Sequence, residues 1–157
     1  NSGAVISYDP NYRAALWSDP ETAQLRMQSL IPYVDMMKIS DEETSLLTPY
    51  QDPEEAIQYL LRQGVHLVAV TLGRDGALIG NENGIVKAEG FSSHAVDTTG
   101  AGDSFWGGFL ASPEHLPRAQ MIQFGRVGNA VASLCVERRG GISAIPEMEE
   151  IEERLRG

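Results

Sequence analysis

Cysteine occurs once in these 157 residues, at Cys135, histidine only three times, and no apolar run approaches the length that crosses a bilayer. A single thiol excludes an intrachain disulfide framework and a paired-cysteine metal site, and it fits a reducing, cytoplasmic setting. His66, His94 and His115 are too scattered to read as one metal site. Basic residues are scarce, twelve Lys and Arg against 22 Asp and Glu, for a net charge of −10. A surface of that sign repels phosphate backbones and lipid head groups, so neither nucleic acid nor a membrane is expected as a partner. It leaves room for a small anion, because backbone dipoles bind phosphate inside an acidic protein. No signal peptide is expected, and internal repeats and low-complexity linkers are absent too. So is a start methionine: the chain enters at once on the apolar run Ala4–Tyr8, and we expect a further N-terminal segment before it.

What is present is an ordinary folding composition, 42% hydrophobic and 22% charged, with enough chain to bury one substantial core. Val5–Tyr8 reads as a short buried strand stopped by Asp9-Pro10. Asp19-Pro20 supplies an N-cap and first-turn proline for a helix over Glu21–Leu30, with Leu25, Met27 and Leu30 as its apolar positions. Tyr33–Ile39 reads as a second strand. Asp52-Pro53-Glu54-Glu55 opens another helix through Arg62, with Ile57, Leu60 and Leu61 inward and Gly64 ending it. His66–Leu72 is apolar enough to be covered on both faces. Ala77–Ile79 and Ile85–Lys87 flank a turn and predict a hairpin. Helices are expected over Gly102–Ala111 and Pro117–Cys135, the second using Gly125 and Gly128 for close approach, and a short acidic helix ends in Arg154 and Arg156. Alternating strands and helices imply an α/β fold, a largely parallel sheet between two helical layers.

The segment "VDTTGAGDSFWGGF", residues 96–109, carries the chemistry. Gly100 and Gly102 lack Cβ, so the turn can aim several backbone N–H groups at one point, and the helix after it adds its positive end. Such a turn holds an anion, or charge that develops on an oxygen during reaction. Asp103, in the first helical turn beside it, is placed to accept the proton of an attacking hydroxyl. Those are the parts phosphoryl transfer needs, together with Mg²⁺ and alignment. A glycine-rich turn with an aspartate also merely starts helices, and for Gly-Ala-Gly-Asp alone that reading stands beside the functional one.

The longer string D-T-T-G-A-G-D-S-F-x-G-G-F resembles the C-terminal signature of the ribokinase-like (phosphofructokinase B type) carbohydrate kinases. "ISYDPNYR" resembles the D-P-N-x-R segment of fructokinase-like members. "KISDEE" stands where that family has N-x-x-E, "VTLGRDGA" resembles its T-L-G-x-x-G nucleotide loop, and "GNAVASLCVERRGGISAIP" its closing helix and loop. The segments keep the family's order across nearly the whole chain.

The resemblance implies a three-layer αβα, Rossmann-like domain in which residues 1–157 are the C-terminal, nucleotide-binding part. The sugar-binding segment and small lid, through which family members often pair as homodimers, have no counterpart here. It implies ATP-dependent phosphorylation of a sugar hydroxyl with Mg²⁺. Asp103 would be the base and Gly100, Ala101 and Gly102 the anion hole. Thr71, Gly73 and Gly76 would line the nucleotide site, with Asn129 near the adenine. Glu43 would organise Mg²⁺ through water; Ser40 replaces the family's asparagine, which implies a retuned Mg²⁺ site. Arg13 and Asn11 would approach the transferred phosphate or the sugar. Asp97 and Thr99, with the Cys135–Ala144 loop, match positions that hold a monovalent cation such as K⁺ in several members.

Plainer readings stay open at this point. Arg13 also reads as a surface residue after a turn, Glu42 and Glu43 as first-turn helix acids, and Thr71 and Gly73 as a bare strand end. Trp17 and Trp106 read as packing residues, Cys135 as a small buried hydrophobe. By function, a fructokinase-like enzyme, a kinase of a related alcohol (keto-deoxygluconate or aminoimidazole riboside) and a non-catalytic nucleotide-binding relative all remain. The isolated chain is expected to turn over poorly or not at all, since donor and acceptor must be held together away from water.

Overall fold

The computed structural model describes residues 3–110 and 117–157. Along them run β1 (Ser7–Tyr8), α1 (Pro20–Gln28), β2 (Met36–Ser40), α2 (Thr44–Leu47), α3 (Pro53–Arg62), β3 (Leu67–Thr71), β4 (Ala77–Asn81), β5 (Gly84–Ala88), α4 (Ala101–Phe109), α5 (Arg118–Cys135) and α6 (Met148–Arg156). His115 and Ala111 lie outside the described residues.

Asp19-Pro20 and Asp52-Pro53 both act as helix starts. Asp19 accepts the Thr22 amide at 2.7 Å and Asp52 the Glu55 amide at 2.9 Å, each followed by the proline in the first turn. The apolar positions expected of α1 are only partly right. Met27 is buried with Ala23, whereas Leu25 and Leu30 are 63% and 47% exposed. Two residues along a helix turn the side chain through about 200°, so Leu25 and Met27 point to opposite sides. In α3 the expected positions face inward, with Ala56, Ile57 and Leu60 buried.

The five strands form one sheet in the order β1-β2-β3-β4-β5. β1, β2 and β3 are parallel, joined by crossovers through α1 and α3; β3-β4 and β4-β5 are antiparallel. The sheet is therefore mixed rather than largely parallel. The reason is the chain between Thr71 and Ala77, which holds only the 3-10 turn Gly73–Asp75 and is too short for a crossover helix, so it brings the next strand back antiparallel.

Side-chain parity sorts the strands into two cores. Met37, Ile39, Val68 and Val70 point to the face covered by Met27, Leu47, Ile57 and Leu60 of α1, α2 and α3. Met36, Leu67 and Ala69, with Ile79 and Val86, point to the face covered by Phe105, Trp106, Phe109 and Met121 of α4 and α5. Helices on both faces make the three layers. β3 is apolar throughout because neither of its faces meets water.

Two glycines of α5 set the spacing on the second face. A Cβ at Gly125 would collide with Ile79 and Ala88, and one at Gly128 would come within 2.8 Å of the Phe105 ring. β1 departs from expectation: it is an edge strand, and Val5 and Ile6 before it are 50% and 49% exposed. Trp106 is a packing residue whose indole N–H donates to Ser7 Oγ at 2.8 Å, tying α4 to that edge.

Candidate active site

The three parallel strands end side by side, and the loops that leave them converge. Asn11, Tyr12 and Arg13 come after β1, Ser40 closes β2, and Thr71 closes β3. This is the carboxyl edge of a parallel sheet, where open α/β folds bind ligands. The start of α4 lies across it. Together with Asp41, Glu42, Glu43, Gly73 and Thr98–Asp103, these residues enclose a cleft of about 630 Å³. Asn11, Arg13, Ser40, Glu43, Thr71, Gly73, Thr99, Gly100, Ala101, Gly102 and Asp103 of the sequence-predicted set thus share one cleft.

The turn at its rim has the geometry expected of it. Gly100 is left-handed at φ 76°, a conformation open to glycine without strain, and it caps α4. The Ala101 amide donates to Thr98 O at 3.2 Å and the Ser104 amide to Gly100 O at 2.8 Å. The amides between them, of Gly102 and Asp103, have no protein acceptor among the described residues and are orphan first-turn donors of the helix. Asp103 is exposed, and its carboxylate has no hydrogen-bond partner among the described residues.

Glu43 is differently placed. It is buried, and both its oxygens are taken: Oε1 accepts the Tyr12 amide at 2.7 Å, Oε2 the Ser40 amide at 2.8 Å and the Ser40 hydroxyl at 3.1 Å. It forms a capping box on the turn 41–43 and braces the loop after β1 against the end of β2. Asn11, left-handed at φ 47°, donates its amide to Asp9 Oδ1 at 3.2 Å, a local turn that carries the chain to Arg13. Arg13 is exposed at the rim.

Sequence reading did not single out Lys38 or Asp9 as site residues. Lys38 lies on β2 with the parity of Met36 and Ser40, toward α4. Its ammonium pairs with Asp9 Oδ2 at 2.9 Å, the two side chains 7% and 16% exposed. Burial is the main reason the Asp9 carboxyl sits above the usual range, against the pull of Lys38, with Glu43 and Asp103 adding repulsion. The available signal was a lone lysine inside the apolar run "YVDMMKI".

A second, apolar cavity of about 290 Å³ adjoins the cleft and shares Gly73, Thr98 and Ala101 with it. Phe91, Ala95, Ala132 and Val136 give its apolar walls, and Asn129 borders it. The Asn129 amide donates to the carbonyls of Ala88 and Glu89 at 2.9 and 3.0 Å, holding the segment after β5 in place. Gly76 lines neither cavity. Its φ of 92° and its close approach to Ala88 O and Gly90 leave no room for a Cβ, so it is fixed by backbone packing under that segment.

Asp97 binds backbone: Oδ1 accepts the Thr99 amide at 2.9 Å and Oδ2 the Gly140 amide at 3.1 Å. Hydrogen bonds from Thr99, then from Gly140, lower its pKa to about 2. No group of three or more His, Cys, Asp or Glu among the described residues is placed to hold a metal by itself. No helix among them is long and apolar enough to cross a membrane.

Residues 1–148 match the model of the pfkB family carbohydrate kinases. The chain is 31% identical over 148 residues to an ATP-dependent 6-phosphofructokinase of Thermoanaerobacterium thermosaccharolyticum, covering 94% of this chain and 45% of that one. It is 34% identical over 163 residues to a protein named probable fructokinase-4 of Arabidopsis thaliana, covering 99% and 50%. A solved fructokinase of Vibrio cholerae O395, with fructose, ADP and calcium ion bound, superposes with a TM-score of 0.87 at 32% identity over 98% of this chain and 51% of its own. The chain thus spans about half the length of each of these relatives.

Proposed function

The chain belongs to the pfkB family of carbohydrate kinases, and on that premise we propose that it carries the nucleotide-binding and phosphoryl-transfer machinery of an ATP-dependent sugar kinase. One observation carries the reading: Asp103, whose carboxylate has no hydrogen-bond partner among the described residues, stands in the same helical turn as two backbone amides without acceptors among them, at the rim of a cleft of about 630 Å³.

That juxtaposition supports the following chemistry. The amides of Gly102 and Asp103 donate to oxygens of the phosphoryl group in flight, and the positive end of α4 adds to them. The acceptor hydroxyl approaches from the side of Asn11 and Arg13. As its oxygen forms the new bond to phosphorus, its proton passes to the Asp103 carboxylate and the bond to the leaving ADP oxygen breaks. The nucleotide lies along Thr71 and Gly73, its base in the apolar cavity beside Asn129.

The donor set fits a nucleotide-borne Mg²⁺. Glu43 and Asp103 both act electrostatically on Asp9 beside Lys38, so negative charge outnumbers positive there, and no group of three carboxylates among the described residues is placed to bind the ion alone. Mg²⁺ keeps several waters and binds by one or two carboxylates plus phosphates, which Glu43 and Ser40 would serve through water. When bound, such an ion would supply positive charge against the charge that develops on the phosphates. Asp97 and Thr99 we assign to the loop a potassium ion would occupy, through backbone oxygens.

Fructose is the acceptor the sequence segments favour, and the fructokinase relatives support it. The test is ADP release from MgATP with fructose, fructose 6-phosphate, ribose and aminoimidazole riboside, run beside calorimetric MgATP binding. Binding of MgATP, with at most slow acceptor-dependent turnover that collapses in Asp103→Asn, is the expected result. Equal turnover in Asp103→Asn would sink the assignment of the base, and failure to bind MgATP would remove the function altogether.

A further inference from the structure

Lys38 is a cation more than nine-tenths buried, yet only one of its three N–H donors has a partner among the described residues, the 2.9 Å bond to Asp9. A buried ammonium normally has its remaining donors satisfied, because leaving charge unpaired away from water is costly. This one lines the cleft, on the same side as Asp103. It also presses on the anion-binding turn from beneath: a Cβ on Gly102 would sit 2.6 Å from Nζ. A side chain at that position would push the ammonium from its place. The other charged groups lining the cleft are Arg13, exposed at the rim, and the carboxylates Asp41, Glu42, Glu43 and Asp103. Lys38 is therefore the one buried cation lining the cleft among the described residues.

Its placement in three dimensions explains its use. β2 parity aims the side chain at α4, Asp9 after β1 holds the ammonium in position, and the orphan amides of Gly102 and Asp103 lie just beyond. We propose that Lys38 is a further catalytic residue, donating from the sheet side to the γ-phosphoryl group that the α4 amides hold from the helix side, with Asp9 as its positioning partner. A lysine suits this role as a compact point charge with rotatable donors. Asp9 keeps the ammonium in place when no phosphate is there and leaves two donors for the oxygens that arrive. The proposal rests on reading the cleft as a phosphoryl-transfer site.

Its signature is dependence on the third phosphate. Affinities of the chain for MgATP, MgADP and adenosine are measured by calorimetry in the wild type, Lys38→Met and Asp9→Asn, with melting curves to check folding. Lys38→Met should weaken MgATP by at least about tenfold while changing adenosine little, so that preference for ATP over ADP is lost. Asp9→Asn should lower that preference less. An unchanged ATP-to-ADP ratio in a folded Lys38→Met chain overturns the proposal and leaves the function intact. Absence of MgATP binding in the wild type overturns the function, and this proposal with it. Should Lys38→Met not fold, the wild-type Lys38 Nζ resonance decides: it should shift on saturation with MgATP and stay put with adenosine, and no shift with MgATP contradicts the contact.

Discussion

The polar cleft and the apolar cavity beside it share Gly73, Thr98 and Ala101 but are built on opposite terms. In the cavity, two polar groups that border it are already bound by protein: Asn129 by the carbonyls of Ala88 and Glu89, Ser133 by Ala130 O and the Arg154 guanidinium. Such a wall is rigid and selects by shape. In the cleft, Asp103 and the amides of Gly102 and Asp103 are unbonded among the described residues, and Lys38 has a single partner there. Groups left unsatisfied in a fold are available to a ligand, and on the proposed function the contrast separates where a nucleotide would be gripped from where it would react. Glu43 shows the same division within the cleft. Its oxygens already bonded to Tyr12 and Ser40, it braces the frame, and on the proposed function it would reach a ligand only through water.

Each side of this contrast can be broken separately. The largest effect is expected on the reactive side: Asp103→Asn should cut turnover by at least about 100-fold, the lower end of what a positioned base supplies, while MgATP affinity holds. Initial rates of ADP release beside calorimetric titration give both numbers. On the rigid side, Gly125→Ala drives a methyl group into Ile79 and Ala88. It should cost about 1–3 kcal/mol, read as a lower thermal midpoint, because a packed core strains to admit an extra carbon. Asn129→Ala should cost about 1–2 kcal/mol by removing the amide that donates to two carbonyls. It should weaken ATP and adenosine by the same factor, since it loosens the cavity without touching the phosphates.

The smallest effect belongs to Asp97. Its carboxyl is lowered to about 2 in the folded chain, below the usual unfolded value of about 3.9. Its stabilising contribution is therefore complete above the unfolded value and lost as the pH falls through the folded one. Melting midpoints should drop between roughly pH 4 and 2, and less steeply in Asp97→Asn.

Much of the frame was legible from the chain itself, because local signals and tertiary packing agree there. Asp19-Pro20 and Asp52-Pro53 start helices on their own chemistry, and the unbroken apolar run of β3 admits only burial on both faces. The turn at Gly100 was legible for the same reason: its left-handed backbone and its missing side chains are one constraint. Sequence failed where the outcome depends on what lies across space. Leu25 and Leu30 are apolar but face away from the sheet. Val5 and Ile6 read as core residues and lie at a sheet edge. Gly76 resembled a ligand-lining glycine, yet its place is set by a strand-end carbonyl. Lys38 was hidden because its meaning depends on Asp9, on a different strand connection, and on Gly102, far along the chain. Only the fold brings those three together.

The central claim is that the turn 98–103 and the loop 72–76 grip one nucleotide at a shared border. Amide hydrogen exchange of the chain with and without MgATP tests this most directly. The account predicts that exchange slows in both segments at once and with one affinity, while α1, on the far face of the sheet, is unchanged. Saturation with MgATP that leaves 98–103 unprotected would contradict it.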